Sequence, residues 1–444
     1  MSKLPAPLMA FDDGLGPDPT RHRPNAMRKI NTRDFRLATR GTVREVNRQI
    51  VLNLIREHQP ISRAELARRM RVNRAALTAI VHDLVVTGEV DERGTATTAR
   101  GRRPTLLHVR TTGRLAVVVD VRPGNTSVAL ADFAGHTIAR HTFATPASSA
   151  DLADELGVCV TRLFDSSATD AKAEEIRAQC QGVGLVVPGM VDRRSGRVIY
   201  APRLGWRDVD LRDALTKKLA LPVYVESAPI ACALARLWLS PEDTRSVHSF
   251  AYVSVSDGVG VGLVIDGDVL RGTAHTAGEF GHVTLDPSGP VCACGQRGCW
   301  EAYACNSATV ARYVERVFGP RQADPLAEPR DRRTPSIAIE EIVRRARRGE
   351  PAARGAIADT GHQIGRGLAA VVNAFNPGRI FVGGEITAAW ELLEQPMRAA
   401  LVERTITQAA RETPIVADRN PAEYRLLGAV AIVAAPTFAA PRVG

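Results

Sequence analysis

No stretch of this 444-residue chain stays apolar long enough to cross a membrane. The nearest approach, Leu426 to Ala440, is short and contains Pro436. Met1 to Pro5 offer neither an apolar run nor a cleavage site, so no secretory leader is expected. Cysteine is sparse as well: the chain has seven, and three of them fall between residues 292 and 299. That distribution excludes a disulfide scaffold and points to a reducing, cytoplasmic setting. What remains is the composition of a globular protein, 45% apolar and 24% charged. Its length predicts two or three domains.

Excess charge is missing from most of the chain too. The net charge is +10, yet residues 1–110 alone hold 21 Lys+Arg against 11 Asp+Glu. The other 334 residues balance at 37 of each sign. A basic segment on a neutral body is the electrostatic footprint of nucleic-acid binding. Residues 1–43 carry five prolines and no apolar period, and read as a disordered basic arm.

Residues 44–110 read as a winged helix-turn-helix. Val46, Ile50, Val51, Leu54 and Ile55 recur on one helical face, which Pro60 ends. Ser62 and Glu65 have the spacing of a capping box before a short helix ending at Met70. A turn at Arg71, Val72 and Asn73 leads to a third helix capped by Asn73, with Leu77, Ile80, Val81 and Leu84 inward. In this arrangement the start of the last helix enters the major groove of double-stranded DNA. Arg71, Asn73, Arg74, Ala75 and Thr78 are the expected contacts. Two strands, 89–93 and 105–109, flank a basic tip whose Arg100, Arg102 and Arg103 suit phosphate or the minor groove.

Residues 111–444 predict an α/β body of two related lobes, without a close sequence repeat between them. A strand meander from Leu115 to Phe143 is answered by a second from Phe250 to Ile265. Helices are expected at 151–164, 229–237, 302–317, 337–348, 353–375 and 388–403, with a surface loop at 319–335.

The stretch from Ala277 to Glu301 carries the chemistry. Cys292, Cys294 and Cys299 are separated by small residues and by Gly295 and Gly298, and His282 lies ten residues upstream. Three thiolates and an imidazole form a closed tetrahedral set for Zn²⁺. Buried reduced thiols are the alternative reading.

The run Cys292, Cys294, Gly295, Gly298, Cys299 and Glu301 resembles the C-x-C-G-x-x-G-C-x-E motif of the ROK proteins (repressors, open reading frames and sugar kinases). Glu279, Gly281 and His282 match its E-x-G-H; Pro188, Gly189 and Asp192 match P-G-x-x-D; Gly383 and Gly384 fall at its nucleotide-side glycines. Arg102, Arg103 and Pro104 resemble the linker of its repressor branch. The resemblance, from about Arg44 to near the end, implies an actin-like or hexokinase-like (RNase H-like) body with a structural zinc and a sugar in the cleft. Carried over, Glu279, His282 and Glu301 would contact sugar hydroxyls.

The same resemblance exposes two gaps. Where the family's kinases place an Asn-Asp pair after a short strand, this chain has Ser227 and Ala228, so the general base is missing. The phosphate-binding turn, Asp120 to Thr126, contains Arg122 and Pro123 in place of glycines. The expectation is therefore not an enzyme. It is a regulator of repressor type, bound to a pseudo-palindromic operator as a homodimer or homotetramer, that senses a sugar or sugar derivative. An ATP-dependent sugar kinase with a fused DNA-binding domain is the enzyme-class alternative. A ligand-independent regulator whose body only oligomerises is the third.

Overall fold

Ser62 and Asn73 begin the two helices they were expected to cap. The computed structural model describes residues 40–95, 104–166, 173–244, 246–319, 337–418 and 421–438. In it helix α1 spans Arg40–His58, α2 spans Arg63–Met70 and α3 spans Arg74–Val86. Ser62 Oγ accepts from the Glu65 amide and Asn73 Oδ1 from the Ala75 amide, so each short helix starts with a satisfied donor. Only half of the capping box forms, because the Glu65 carboxylate turns outward to Arg68 and Arg69. Arg71, at φ 54°, ends α2 in the left-handed region. Strands Val90–Thr95 and Thr105–Val109 form an antiparallel hairpin, and Ile61–Ser62 joins its outer edge.

The α1 face was misread at three positions. Ile50 is 44% exposed, while Gln49 and Leu52, left out of it, are buried. A buried side-chain amide needs a partner, and Gln49 Nε2 donates to Thr437 O at 2.7 Å. The helix also begins at Arg40, inside the segment expected to be a disordered arm. Residues 1–39 lie outside the described residues.

The body holds two five-stranded sheets with one topology. In the first lobe the order is Val223–Ser227, Cys180–Val187, Leu115–Val121, Asn125–Asp132, Thr137–Ala144. In the second it is Ile415–Ala417, Arg379–Gly383, Phe250–Val255, Val259–Ile265, Asp268–Val269. Each begins as an antiparallel three-strand meander, and two later strands add in parallel beside the first. The duplication is thus in the pairing order, which is why no sequence repeat betrayed it. A small sheet of Met190–Asp192, Arg197–Ala201 and Trp206–Asp210 extends the first lobe.

Two expected elements changed. The helix expected at 302–317 is two, Trp300–Ala304 and Asn306–Phe318, broken where Cys305 is extended. The stretch weighed as a membrane segment is the helix Pro421–Phe438, packed inside the body. Among the described residues, no helix is long and apolar enough to cross a membrane. This terminal helix sits so close to its neighbours that a Cβ on Gly184 would lie 2.1 Å from Ala429 O, and one on Gly428 would lie 2.6 Å from the Ala231 backbone. The expected loop at 319–335 falls almost wholly on 320–336, outside the described residues.

Candidate metal centre, ligand cleft and nucleic-acid interface

The metal candidates converge. The ligand atoms of His282, Cys292, Cys294 and Cys299 all lie within 4.8 Å of one another. Cys294 Sγ and Cys299 Sγ are 3.7 Å apart, and Cys292 Sγ is 3.8 Å from His282 Nδ1. Two ligands at about 2.0–2.3 Å from one tetrahedral ion are separated by about 3.5–3.8 Å, so these two edges fit a shared ion. Local backbone builds the knuckle: the Cys292 amide donates to Gln296 O and the Gly295 amide to Cys292 O. Gly298, at φ 69°, is required, because a Cβ there would lie 1.6 Å from Asp286 O. Burial pushes the metal-free Cys292 thiol up to about 12.

Cys299 ends the knuckle and is the N-cap residue of the helix Trp300–Ala304, which sets Glu301 in the first turn. Glu301 Oε2 accepts from the Val259 amide at 3.0 Å. With Nδ1 turned to the thiols, His282 presents Nε2 toward Glu279 Oε2, 3.8 Å away. Burial, reinforced by the charge of Glu301, pushes the Glu279 carboxyl up to about 7. Glu279, His282 and Glu301 all line one open cavity of about 740 Å³ between the lobes. The structure therefore brings the three expected sugar contacts together, directly against the metal candidate.

The first-lobe residues Ala228, Arg122 and Arg203, and Arg425 of the terminal helix, line the same cavity. Ala228 opens the helix Ala228–Leu239 and brings no ionisable group. Arg122 bonds Asp120 at 2.9 Å and crosses the cleft to Glu385 in the second lobe. Glu385 also accepts from Ser256 Oγ at 2.8 Å and Asn306 Nδ2 at 3.0 Å. Burial opposes its ionisation, but the Arg122 charge and these bonds hold its carboxyl below the ordinary range. Arg425, on the terminal helix, donates to Asp120 Oδ1 at 2.6 Å and Val121 O at 3.1 Å. Further bridges cross the cleft at Arg271 to Glu226, 2.7 Å, and His275 to Asp192, 3.6 Å.

Arg203, Glu385 and Arg425 were not foreseen. Arg203 carried no positional signal, and Arg425 lay just before the stretch set aside as a poor membrane candidate.

At the nucleic-acid interface, Arg71, Asn73, Arg74, Ala75 and Thr78 are all exposed along the start of α3. Asn73 spends its carbonyl on the cap, which leaves its amide N–H groups facing outward. Thr78 Oγ1 donates to Arg74 O at 2.7 Å. Arg100, Arg102 and Arg103 lie outside the described residues.

Comparison with known proteins agrees with this geometry. A model of the ROK family matches residues 117–435. The xylose repressor of Caldicellulosiruptor bescii is 28% identical over 394 residues, covering 88% of this chain and 96% of that protein. The crystal structure of a ROK family transcriptional regulator, a homolog of the E. coli MLC protein, is 26% identical with a TM-score of 0.71, covering 89% of this chain and 96% of its own. A ROK family glucokinase from Streptomyces griseus, solved with glucose and AMPPNP, shares the fold at a TM-score of 0.59 and 24% identity, over 71% of this chain and 98% of its own.

Proposed function

The chain belongs to the ROK family, and from that premise we propose that it is a transcriptional repressor whose cleft senses a sugar without phosphorylating it. Residues 44–110, with the first turns of α1, form the DNA-binding domain. Residues 111–444 form the effector and oligomerisation body. Two of the three named relatives are a repressor and a transcriptional regulator, and those two matches cover 88% and 89% of this chain, against 71% for the glucokinase.

The observation that carries the reading is a single helix joining the two sites. At its start, Arg425 holds Asp120 at the cleft. At its end, Thr437 O and Phe438 O accept from Gln49 and Asn53 of α1, at 2.7 and 2.9 Å. Phe438 stacks on Trp238 at 5.6 Å, and Arg56 of α1 lies 4.0 Å above the Trp238 ring. A ligand that changes the lobe arrangement moves one end of this rod and, through packing, the helices at the other. The change in operator affinity can be no larger than the ligand's preference between the two arrangements.

Within this reading Zn²⁺ is held by His282 Nδ1 and the thiolates of Cys292, Cys294 and Cys299. Its shell is closed, so it has a structural role and fixes the tautomer and angle of His282. His282 Nε2, Glu279 and Glu301 then bond sugar hydroxyls. Phosphoryl transfer lacks support from either required part. Ala228 offers no base, and the Arg122–Glu385 bridge with Pro123 stands where the phosphate-binding turn is expected. Operator DNA is bound by a cytoplasmic homodimer or homotetramer through Arg71, Asn73, Arg74, Ala75 and Thr78, with Arg100, Arg102 and Arg103 on the backbone or minor groove.

Genome-wide occupancy mapping of the full-length protein and its Arg74→Ala variant tests this reading. Discrete sites sharing an inverted repeat, lost in the variant, are expected. Uniform occupancy, or identical maps for the two proteins, would refute it.

A further inference from the structure

The three arginines lining the cleft cavity differ in how far their guanidinium groups are used. Arg122 bonds two carboxylates, and Arg425 bonds Asp120 and a backbone carbonyl. Arg203 is held more loosely, by one long ion pair and one contact to sulfur. Its nearest acceptors are Cys305 Sγ at 3.6 Å and Glu301 Oε1 at 3.7 Å, and its Nε is buried without a hydrogen bond. A guanidinium presents a planar fork of donors whose best partner is an oxyanion, and one with a buried donor unpaired among the described residues and only long contacts on another is incompletely satisfied.

Its backbone is fixed in advance. Arg203 sits on the short turn Pro202–Leu204, which Gly205 closes with its amide on Pro202 O. Ala201 and Leu204 on either side pack into the first-lobe core. The side chain therefore reaches the cavity from a rigid base, beside Glu301 and in the same cavity as Glu279 and His282. Glu301 is itself anchored by the Val259 amide and turns only one oxygen toward Arg203. Ala228, lining the same cavity, adds no negative charge that would repel an anion.

We infer that Arg203 makes this cleft selective for an anionic sugar, a ring that offers hydroxyls to the acidic wall and one oxyanion group to the guanidinium. The inference rests on the reading of the cleft as a sugar site. The oxyanion is a carboxylate, as in a hexuronic acid, or a phosphate, as in a hexose phosphate.

Titration calorimetry on the full-length, zinc-loaded protein tests it, with D-glucose, D-glucuronate and glucose 6-phosphate as probes. The expected result is that one of the two anions binds about 10- to 100-fold more tightly than glucose. The anion that does so identifies the oxyanion. Arg203→Gln should erase that preference, weakening the anion at least about 10-fold more than glucose, while Arg203→Lys keeps part of it. A side chain with a merely structural role would weaken glucose and the anions alike. That result, or glucose binding as tightly as both anions, overturns the inference and leaves the sugar reading standing. If none of the three binds while operator binding is intact, the sugar reading falls, and this inference falls with it.

Discussion

Replacing Cys299 by serine removes one thiolate from the His282, Cys292, Cys294 and Cys299 set at almost constant volume. Cys299 is fully buried, its sulfur 3.7 Å from that of Cys294, and it is the residue from which the Glu301 helix starts. Losing an outer-shell partner of a metal ligand costs up to about 100-fold in affinity, so losing a ligand should cost at least that. With free zinc at about 100 times the native Kd, the intact site stabilises the fold by about 2.7 kcal/mol. A variant weakened about 100-fold keeps only about 0.4 kcal/mol. The difference, about 2.3 kcal/mol, corresponds to a fall of about 5 °C in Tm. Metal content by mass spectrometry and thermal unfolding with and without chelator measure both quantities. Chelation should bring the native protein down to the variant, and hydrogen exchange should speed up around 277–301. Because burial pushes the metal-free Cys292 thiol up to about 12, zinc must displace protons to bind. Its affinity should therefore fall as pH falls. Native protein that carries no zinc, or a variant with full zinc content and unchanged Tm, would refute the reasoning.

Other perturbations separate the remaining parts. Arg74→Ala should weaken operator binding by about 1–3 kcal/mol and leave random DNA nearly unaffected in a gel-shift titration. Arg102→Ala and Arg103→Ala should weaken both DNAs alike and reduce the salt slope by about one each. Ala228→Asp alone should not yield measurable ATP-dependent phosphorylation of glucose, because Arg122 and Pro123 still occupy the phosphate-binding turn; turnover above background would contradict that. Phe438→Ala should remove the stack on Trp238, cost about 3–5 kcal/mol of stability, read as a lower Tm, and reduce the ligand-induced change in operator affinity.

What was legible in the sequence was local. Ser62 and Asn73 announce their helices because a cap and the amide it satisfies are two or three residues apart. The metal set was legible for the same reason, since its four ligands fall within eighteen residues and the glycines between them shape the turn. Contacts between distant segments left no such mark. Gln49 is buried because the far end of the chain supplies Thr437 O, which no periodicity in α1 reveals. Pro421–Phe438 was read only for its apolar run and its proline, and the one arginine in it, Arg425, proved to bind Asp120 in the cleft. Arg203 was invisible for a related reason: its meaning depends on a cavity assembled from both lobes. The break at Cys305 likewise follows from packing, and it places Glu301 on its own short helix against Val259.

The central claim is that this chain recognises a particular DNA sequence and that its cleft adjusts that recognition. Fluorescence anisotropy of the full-length protein, on an operator taken from its mapped sites and on a scrambled duplex at fixed salt, tests it most directly, repeated with a ligand that calorimetry has shown to bind. The account predicts at least about a 10³-fold preference for the operator and a shift of about 5- to 150-fold in operator affinity when the ligand is added. Equal affinity for the two duplexes, or an operator affinity untouched by a ligand that saturates the cleft, would contradict it.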